Sequence, residues 1–473
     1  MKDAGSGMSM QEMRETARHL VVDFLPMKSF AENPLIFSEG KGIYVTTVDG
    51  QRFIDGLSGA FAVNLGYGNE RLADAAAQQA HRLPLAFPTL ATSDRALELT
   101  KLVLDITPPQ YTTVKFMSGG SEATEGAIRL ARQYHKQTGS PGKFKILSHY
   151  KSYHGATGQS LAAGGWPSWR TPYEPLPGGF IHLHAPETYR APFAGTPETL
   201  AATYACLVEE VINLEGPGTI AALIMEPIQM SAGVVMPPAD YLLRLRALCD
   251  RYNILLIFDE VITGFGRSGE LFAAQHWDVW PDIFCFGKGM TGAYAPLSCI
   301  AMIDRVAKAF WGEDAANVHF QAGHTFGGNP IAAAVAHAAI RQLLDDRVIE
   351  NSRARGEQIK ARLRDLRDRV PVIGDIRGEG LIVGIEFAKN LETREPFPVE
   401  AAFGIRIREA ARRRGLLLRA SHWMIAFGPP LIISAAEVDT IMDIFETSLH
   451  EALASLESQY APAKSLRPVR HAI

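Results

Sequence analysis

Cysteine is nearly absent from this chain: four residues among 473, at Cys206, Cys249, Cys285 and Cys299, none forming a CxxC pair. Such spacing gives no disulfide framework and no metal-binding pair. Three of the four lie in or beside apolar runs, so the set is expected to be reduced core thiols in a reducing compartment. An excess of one charge is also missing. With 47 Lys and Arg against 51 Asp and Glu, the formal charge is -4, which supplies no electrostatic footprint for nucleic acid or anionic lipid. No apolar run approaches bilayer-spanning length, and the first 23 positions lack the basic-then-apolar layout of a secretory signal. Internal repeats and low-complexity tracts are absent too. A soluble cytoplasmic protein is expected, long enough for a large domain and a smaller one.

What is present is organised around one stretch, Ile254 to Gly289. The apolar run Ile254 to Phe258 ends abruptly in Asp259 and Glu260, the pattern of a buried strand delivering carboxylates to its C-terminal edge, where open α/β sheets place their ligands. A second run, Ile283 to Phe286, ends in Gly287-Lys288-Gly289, so a lysine leaves buried backbone between two glycines. An acid and a lysine at neighbouring strand ends need a polar partner, because burying either alone is costly.

Along the chain, Met10 to Phe24 is weakly amphipathic and stops at Pro26. Gly42 to Asp55 alternates apolar and polar residues around Asp49-Gly50, which predicts a hairpin. After Asp94, helical segments alternate with apolar strands at Thr113 to Met117, Phe144 to Leu147, Ile220 to Met225, Ile254 to Phe258, Ile283 to Phe286 and Leu297 to Met302, predicting a mostly parallel, doubly wound α/β sheet. Two long helices follow, Pro330 to Leu344 and Val348 to Arg369. Gly380 to Phe387 and Gly415 to Arg419 then read as strands of a second sheet in a small C-terminal domain. The expected division is an arm and hairpin over 1–68, a large domain over 69–328 and a small α+β domain over 329–473, the last dozen residues forming a loose tail.

Several segments carry chemistry. Met117 to Arg132 leaves a strand and opens a helix, where glycine amides and the Ser121 hydroxyl form an anion site suited to phosphate; a capped helix start with a tight turn accounts for the same residues. Tyr153 and His154 follow a strand, and Tyr153 can stack on a flat ring. Glu226 ends another buried strand. The run Gly264 to Gly269 fits GxGxxG, the fingerprint of an NAD-dependent dehydrogenase, yet it starts five residues beyond the strand end and no long helix follows, so it reads as a turn. Desolvation and nearby cationic groups lower a lysine pKa and free its amine for attack on a carbonyl, while a carboxylate against a pyridine nitrogen would keep that ring protonated. Phosphate cradle, stacking aromatic, acid and reactive lysine are the parts that pyridoxal phosphate chemistry requires.

Taken in order, SGGSEATEGAIRLAR, SYHGAT, EPIQ, IFDEVITGFGRSG, FGKG, HTFGGNP, IRGEGLIVGIEF and GLLLR followed by PPLIIS resemble the class III, or ω-, aminotransferases among the fold-type I pyridoxal phosphate enzymes. The likeness runs from about Gly42 to Ser434. It implies that Gly120 and Ser121 hold the phosphate, Tyr153 stacks on the ring with His154 beside it, Asp259 pairs with the pyridine nitrogen supported by Glu226, and Val261 or Ile262 supports the other face. Lys288 would be the Schiff-base lysine and proton carrier. Thr325 would reach a phosphate in the other subunit, implying a homodimer with shared active sites, with pairing into tetramers left open. Arg419 would bind a substrate carboxylate and swing aside for substrates without one. Ala60, Phe61, Phe87, Trp166 and Ser231 fall at or near substrate-pocket positions, Phe61 and Trp166 as an apolar wall. Gly119 stands where many relatives have serine, and Met230 with Ser231 where glycine or alanine is frequent.

The implied activity transfers an amino group from a primary amine or ω-amino acid to pyruvate or another 2-oxo acid by a ping-pong mechanism. A racemase, epimerase or aminomutase of the same fold would use the same parts without exchanging the amino group, and a non-catalytic binding protein would keep the fold alone.

Overall fold

A computed structural model describes residues 7–460; the loose tail expected over the last dozen residues lies outside them. Its largest sheet has seven strands, which run from edge to edge as Tyr111–Met117, Ser298–Ile303, Ile283–Phe286, Leu255–Asp259, Ile220–Met225, Lys145–His149 and Phe180–Leu183. Ser298–Ile303 is antiparallel to both neighbours. All other pairings are parallel. The three central strands are buried at every position, which is why they read as continuous apolar runs. Alternate residues divide between two cores: Ile224, Leu255, Ile257, Ile283 and Cys285 pack under the helix Gly120–Gln137, whereas Leu223, Met225, Leu256, Phe258 and Phe286 join the cluster containing Leu242 and Leu245 of Tyr241–Arg251. Each fully buried Leu, Ile or Phe contributes about 2 kcal/mol relative to exposure. The parallel strands therefore end along one edge between two layers of helices.

Two smaller sheets complete the architecture. The predicted hairpin forms, Tyr44–Thr47 against Arg52–Asp55, and is extended by Phe37–Lys41, a strand its polar sequence concealed. The other sheet is antiparallel, in the order Ile373–Glu379, Ile382–Phe387, Met424–Phe427 and Arg419–Ala420. Gly415 to Arg419, expected as a single strand, is instead divided between the two sheets. Leu416–Leu417 pairs in parallel with Ile54 and Asp55, and only from Arg419 does the chain join the second sheet. Glycine explains part of that close approach, since a Cβ on Gly56 would lie 2.5 Å from the Leu417 carbonyl. The helices Pro330–Asp345 and Val348–Arg369 match expectation.

Two further corrections concern smaller features. The N-terminal helix covers only Met10–Ala17, held by a capping box between Ser9 and Glu12. Cys206 is exposed on the helix Pro197–Glu215, whereas Cys249, Cys285 and Cys299 are buried, and all four are free. Ala205 and Val208, close to Cys206 in sequence, take the buried positions of that helix.

Candidate active site

Everything the strand ends deliver meets at one edge of the large sheet. Asp259, the last residue of its strand, is buried. Its Oδ2 accepts a hydrogen bond from His154 Nδ1 at 2.9 Å, and its Oδ1 accepts from the Val261 amide at 3.2 Å. Because strand side chains alternate, Glu260 points the other way. It accepts from the Ala273 and Ala274 amides and the Thr263 hydroxyl, fixing the turn beyond the strand. Burial pushes its carboxyl up to about 7 against those three donors.

Glu226 is buried at the end of the adjacent strand and bridges two loops, accepting from the amides of Tyr153 and Met230, each at 3.0 Å. Burial raises its carboxyl to about 7; His154 and the two amides oppose the rise, and Asp259 adds to it. Lys288 emerges beyond Ile283–Phe286 with a left-handed backbone, φ +45°. Its amine falls to about 8, chiefly through burial, with Asp259 and Glu226 favouring the charged form and Arg419 opposing it. Among the described residues this amine has no ion pair, so electrostatics alone connects the four groups. Arg419, half-buried, opens the short strand that pairs with Met424–Phe427. Burial lowers its guanidinium and Glu226 raises it.

The helix Gly120–Gln137 begins at the same edge, and its cap residue Gly119 has no side chain to satisfy the first-turn amides. Eighteen residues of aligned peptide dipoles end there in unpaired N–H groups, which favours an anion. Ser121 Oγ accepts from the Ala156 amide at 3.1 Å, placing SGGS against SYHGAT. Space is tight: a Cβ on Gly120 would lie 2.9 Å from Val261 Cγ1, and one on Gly155 would lie 2.7 Å from Ser121 Oγ. Ser298 Oγ donates to the Gly119 carbonyl at 2.8 Å, so the antiparallel strand also holds the cradle.

Tyr153 is half-buried and meets Trp169 edge to face, 5.6 Å between centroids, while Trp169 also contacts Trp166 and Phe24. Trp169 escapes a reading by motif; its spacing of three from Trp166, one helical turn, is the available signal. Ile262 packs beside a core cluster of Ile228, Met230 and Met424 that also contains Phe61, only 3 % exposed. Ser231 donates to the Lys151 carbonyl at 2.6 Å. Ala60 and Thr325 are exposed, and Phe87 is 47 % exposed on the surface of this chain.

The GxGxxG look-alike is a joint. Arg267 within it is fully buried and donates to Ser58 Oγ, Asn64 Oδ1 and the carbonyls of Leu381 and Pro429. Gly289, next to the lysine, leaves room for Asn64, whose Nδ2 would lie 2.2 Å from a Cβ there.

A reactive lysine and an acid at neighbouring ends of a mostly parallel sheet, with an uncapped helix start beside them, define a fold-type I pyridoxal phosphate enzyme. The profile of the family described as Aminotransferase class-III matches residues 27–449. The chain is 37 % identical over 424 residues to the uncharacterized aminotransferase YhxA of Bacillus subtilis (strain 168), covering 87 % of this chain and 92 % of that protein. Among solved structures, a thermostable (S)-enantioselective omega-transaminase from Thermomicrobium roseum superposes with a TM-score of 0.90 at 36 % identity, covering 94 % of this chain and 99 % of the other. An amine transaminase from an uncultivated Pseudomonas species, in its pyridoxal-phosphate-bound form, gives 0.86 at 34 %, covering 92 % and 97 %. The chain belongs to the class III aminotransferases and is a pyridoxal-phosphate-dependent aminotransferase acting on an amine and a keto acid.

Proposed function

We propose that this enzyme transfers the amino group of a primary amine or ω-amino acid to pyruvate or another 2-oxo acid, with Lys288 and Asp259 as its catalytic residues. One observation carries this assignment: the Lys288 amine, on a half-buried side chain, is lowered to about 8 and electrostatically coupled to both Asp259 and Glu226. A lysine in that state loses its proton near neutral pH and can take one back, as alternating acid and base catalysis demands.

The bound cofactor supplies an electron sink for the charge left when a proton leaves the substrate carbon. The geometry of the site supports a part for each of the surrounding residues. Gly120 and Ser121 would hold the phosphate at the helix start, and Tyr153 would face the ring opposite Val261 and Ile262. Asp259, fixed by His154 and the Val261 amide, would serve as the acid for the ring nitrogen. Lys288 would carry the proton between substrate and cofactor carbons. Arg419 is a half-buried cation without an acidic partner among the described residues, which suits it to a carboxylate, with Ala60, Phe61, Phe87, Trp166 and Ser231 assigned to the pocket around it. The (S)-enantioselective omega-transaminase among the matched structures supports an amine donor.

Thr325 is assigned to a partner's phosphate site, and its exposure supports a homodimer with shared sites. No helix among the described residues is long and apolar enough to cross a membrane, and a cytoplasmic location is proposed with the arm, large-domain and small-domain division at 68 and 328. The deciding experiment assays Lys288→Ala and wild type with a panel of amines and ω-amino acids against pyruvate, 2-oxoglutarate and glyoxylate. Folded, inactive variant protein is expected; substantial residual transfer would overturn the assignment.

A further inference from the structure

The short segment whose Trp169 meets Tyr153 has a second side. Immediately after Trp169 it forms a wall of a separate open cavity of about 440 Å3, lined by Arg170, Glu174, His182 and the turn from Pro175 through Phe180. A volume in this range accommodates a small metabolite. Its polar equipment is one cation, one anion and one neutral ring. Arg170 Nη1 lies 3.3 Å from both ring nitrogens of His182, so the guanidinium lies across the imidazole rather than on a carboxylate. His182 in turn meets the Gly164 carbonyl at 3.0 Å. Burial, with Arg170 next, lowers that imidazole to about 4, so it adds no charge.

Arg170 and Glu174 line the same cavity without forming an ion pair with each other, and neither has an oppositely charged partner among the described residues. The Arg170 Nε is also buried without a hydrogen-bond partner. The remaining lining is apolar or backbone: Ala162, Leu176, Phe180 and the glycines of the turn. A phosphate or a dicarboxylate would suit Arg170 and be repelled by Glu174; a simple amine would reverse that mismatch. A molecule carrying both charges satisfies both residues.

We propose that this cavity is an accessory site for a zwitterionic amino acid with a small apolar side chain, its carboxylate on Arg170 and its ammonium on Glu174. Amino acids are products or donors of the transamination proposed above, but binding here involves no turnover, so the test is independent of that reading. L-proline serves as the probe, because a secondary amine cannot donate its nitrogen. Calorimetric titration of holoenzyme with L-proline should show one saturable site per chain. Arg170→Gln and Glu174→Gln should each weaken it about tenfold or more, while Arg419→Ala leaves it unchanged. Propionate and pyrrolidine, each with half of the charge pair, should bind at least about tenfold more weakly than L-proline. The proposal is overturned if L-proline shows no saturable binding, if it binds both Gln variants as tightly as wild type, or if Arg419→Ala alone removes binding, which places the probe in the active site. Should Arg170→Gln fail to fold, Glu174→Gln, in an exposed loop, decides between the same outcomes.

Discussion

His154 Nδ1 stands 2.9 Å from Asp259 Oδ2, with both side chains buried. A carboxylate can only accept, so the imidazole carries its proton on Nδ1 and donates to the acid assigned to the cofactor nitrogen. A charge-assisted hydrogen bond of this kind is worth about 1.5–3 kcal/mol. His154→Ala should lower kcat about ten- to a hundredfold with little change in KM. His154→Asn, whose amide still donates, should recover part of the loss. Steady-state kinetics of the pair decide it, and equal damage by both variants would reduce His154 to a packing residue.

Lys288 titrates near 8 rather than 10.5, and only its neutral form can attack the cofactor aldehyde. Uptake of pyridoxal phosphate by the apoenzyme should therefore accelerate about tenfold per pH unit below 8 and level off above it. Stability shifts with the same sign: between about 8 and 10.5 the unfolded chain holds the extra proton, so the folded apoenzyme gains stability as pH rises. Stopped-flow absorbance across that range checks the first claim. A flat profile would refute it.

Arg419 lacks an ionic partner among the described residues and feels Glu226 across the site. Replacing it by alanine should raise KM for pyruvate or 2-oxoglutarate about tenfold or more, the worth of a charge-assisted contact. A donor amine without a carboxylate should keep its KM within about twofold. If both substrates lose affinity alike, Arg419 supports the site rather than reading the substrate.

Glu260 adjoins Asp259, the proposed catalytic acid, in sequence and does separate work. Three donors converge on it, the amides of Ala273 and Ala274 and the Thr263 hydroxyl. Glu260→Gln would turn one acceptor into a donor facing a donor, costing about 1–3 kcal/mol. Urea denaturation should register this loss while the cofactor absorbance of the folded enzyme stays unchanged. A parallel loss of cofactor would show Glu260 acting on the site itself.

Much of this enzyme was legible in one dimension. The central strands are buried on both faces, so they appear as unbroken apolar runs, and each polar residue that ends one, Asp259, Glu226 or Lys288, is flagged by contrast. Gly119, Gly120 and Ser121 are readable for a similar reason, since a helix start without a capping side chain leaves amides for a ligand. Local rules were less able to find Phe37–Lys41, whose stability comes from its neighbour rather than its own side chains, or Trp169, whose contacts with Tyr153 and Phe24 join rings distant in sequence.

Sequence by itself determined most of the elements and the chemical inventory, because burial period, helix capping and turn residues act over a few positions. Tertiary structure alone decided direction and company. It turned Asp259 toward His154 and the adjacent Glu260 away, since alternate strand residues face opposite layers, and it split Gly415 to Arg419 between two sheets. It also made the GxGxxG look-alike a joint: Arg267 finds acceptors on Ser58, Asn64, Leu381 and Pro429, which only the folded chain brings within one guanidinium's reach.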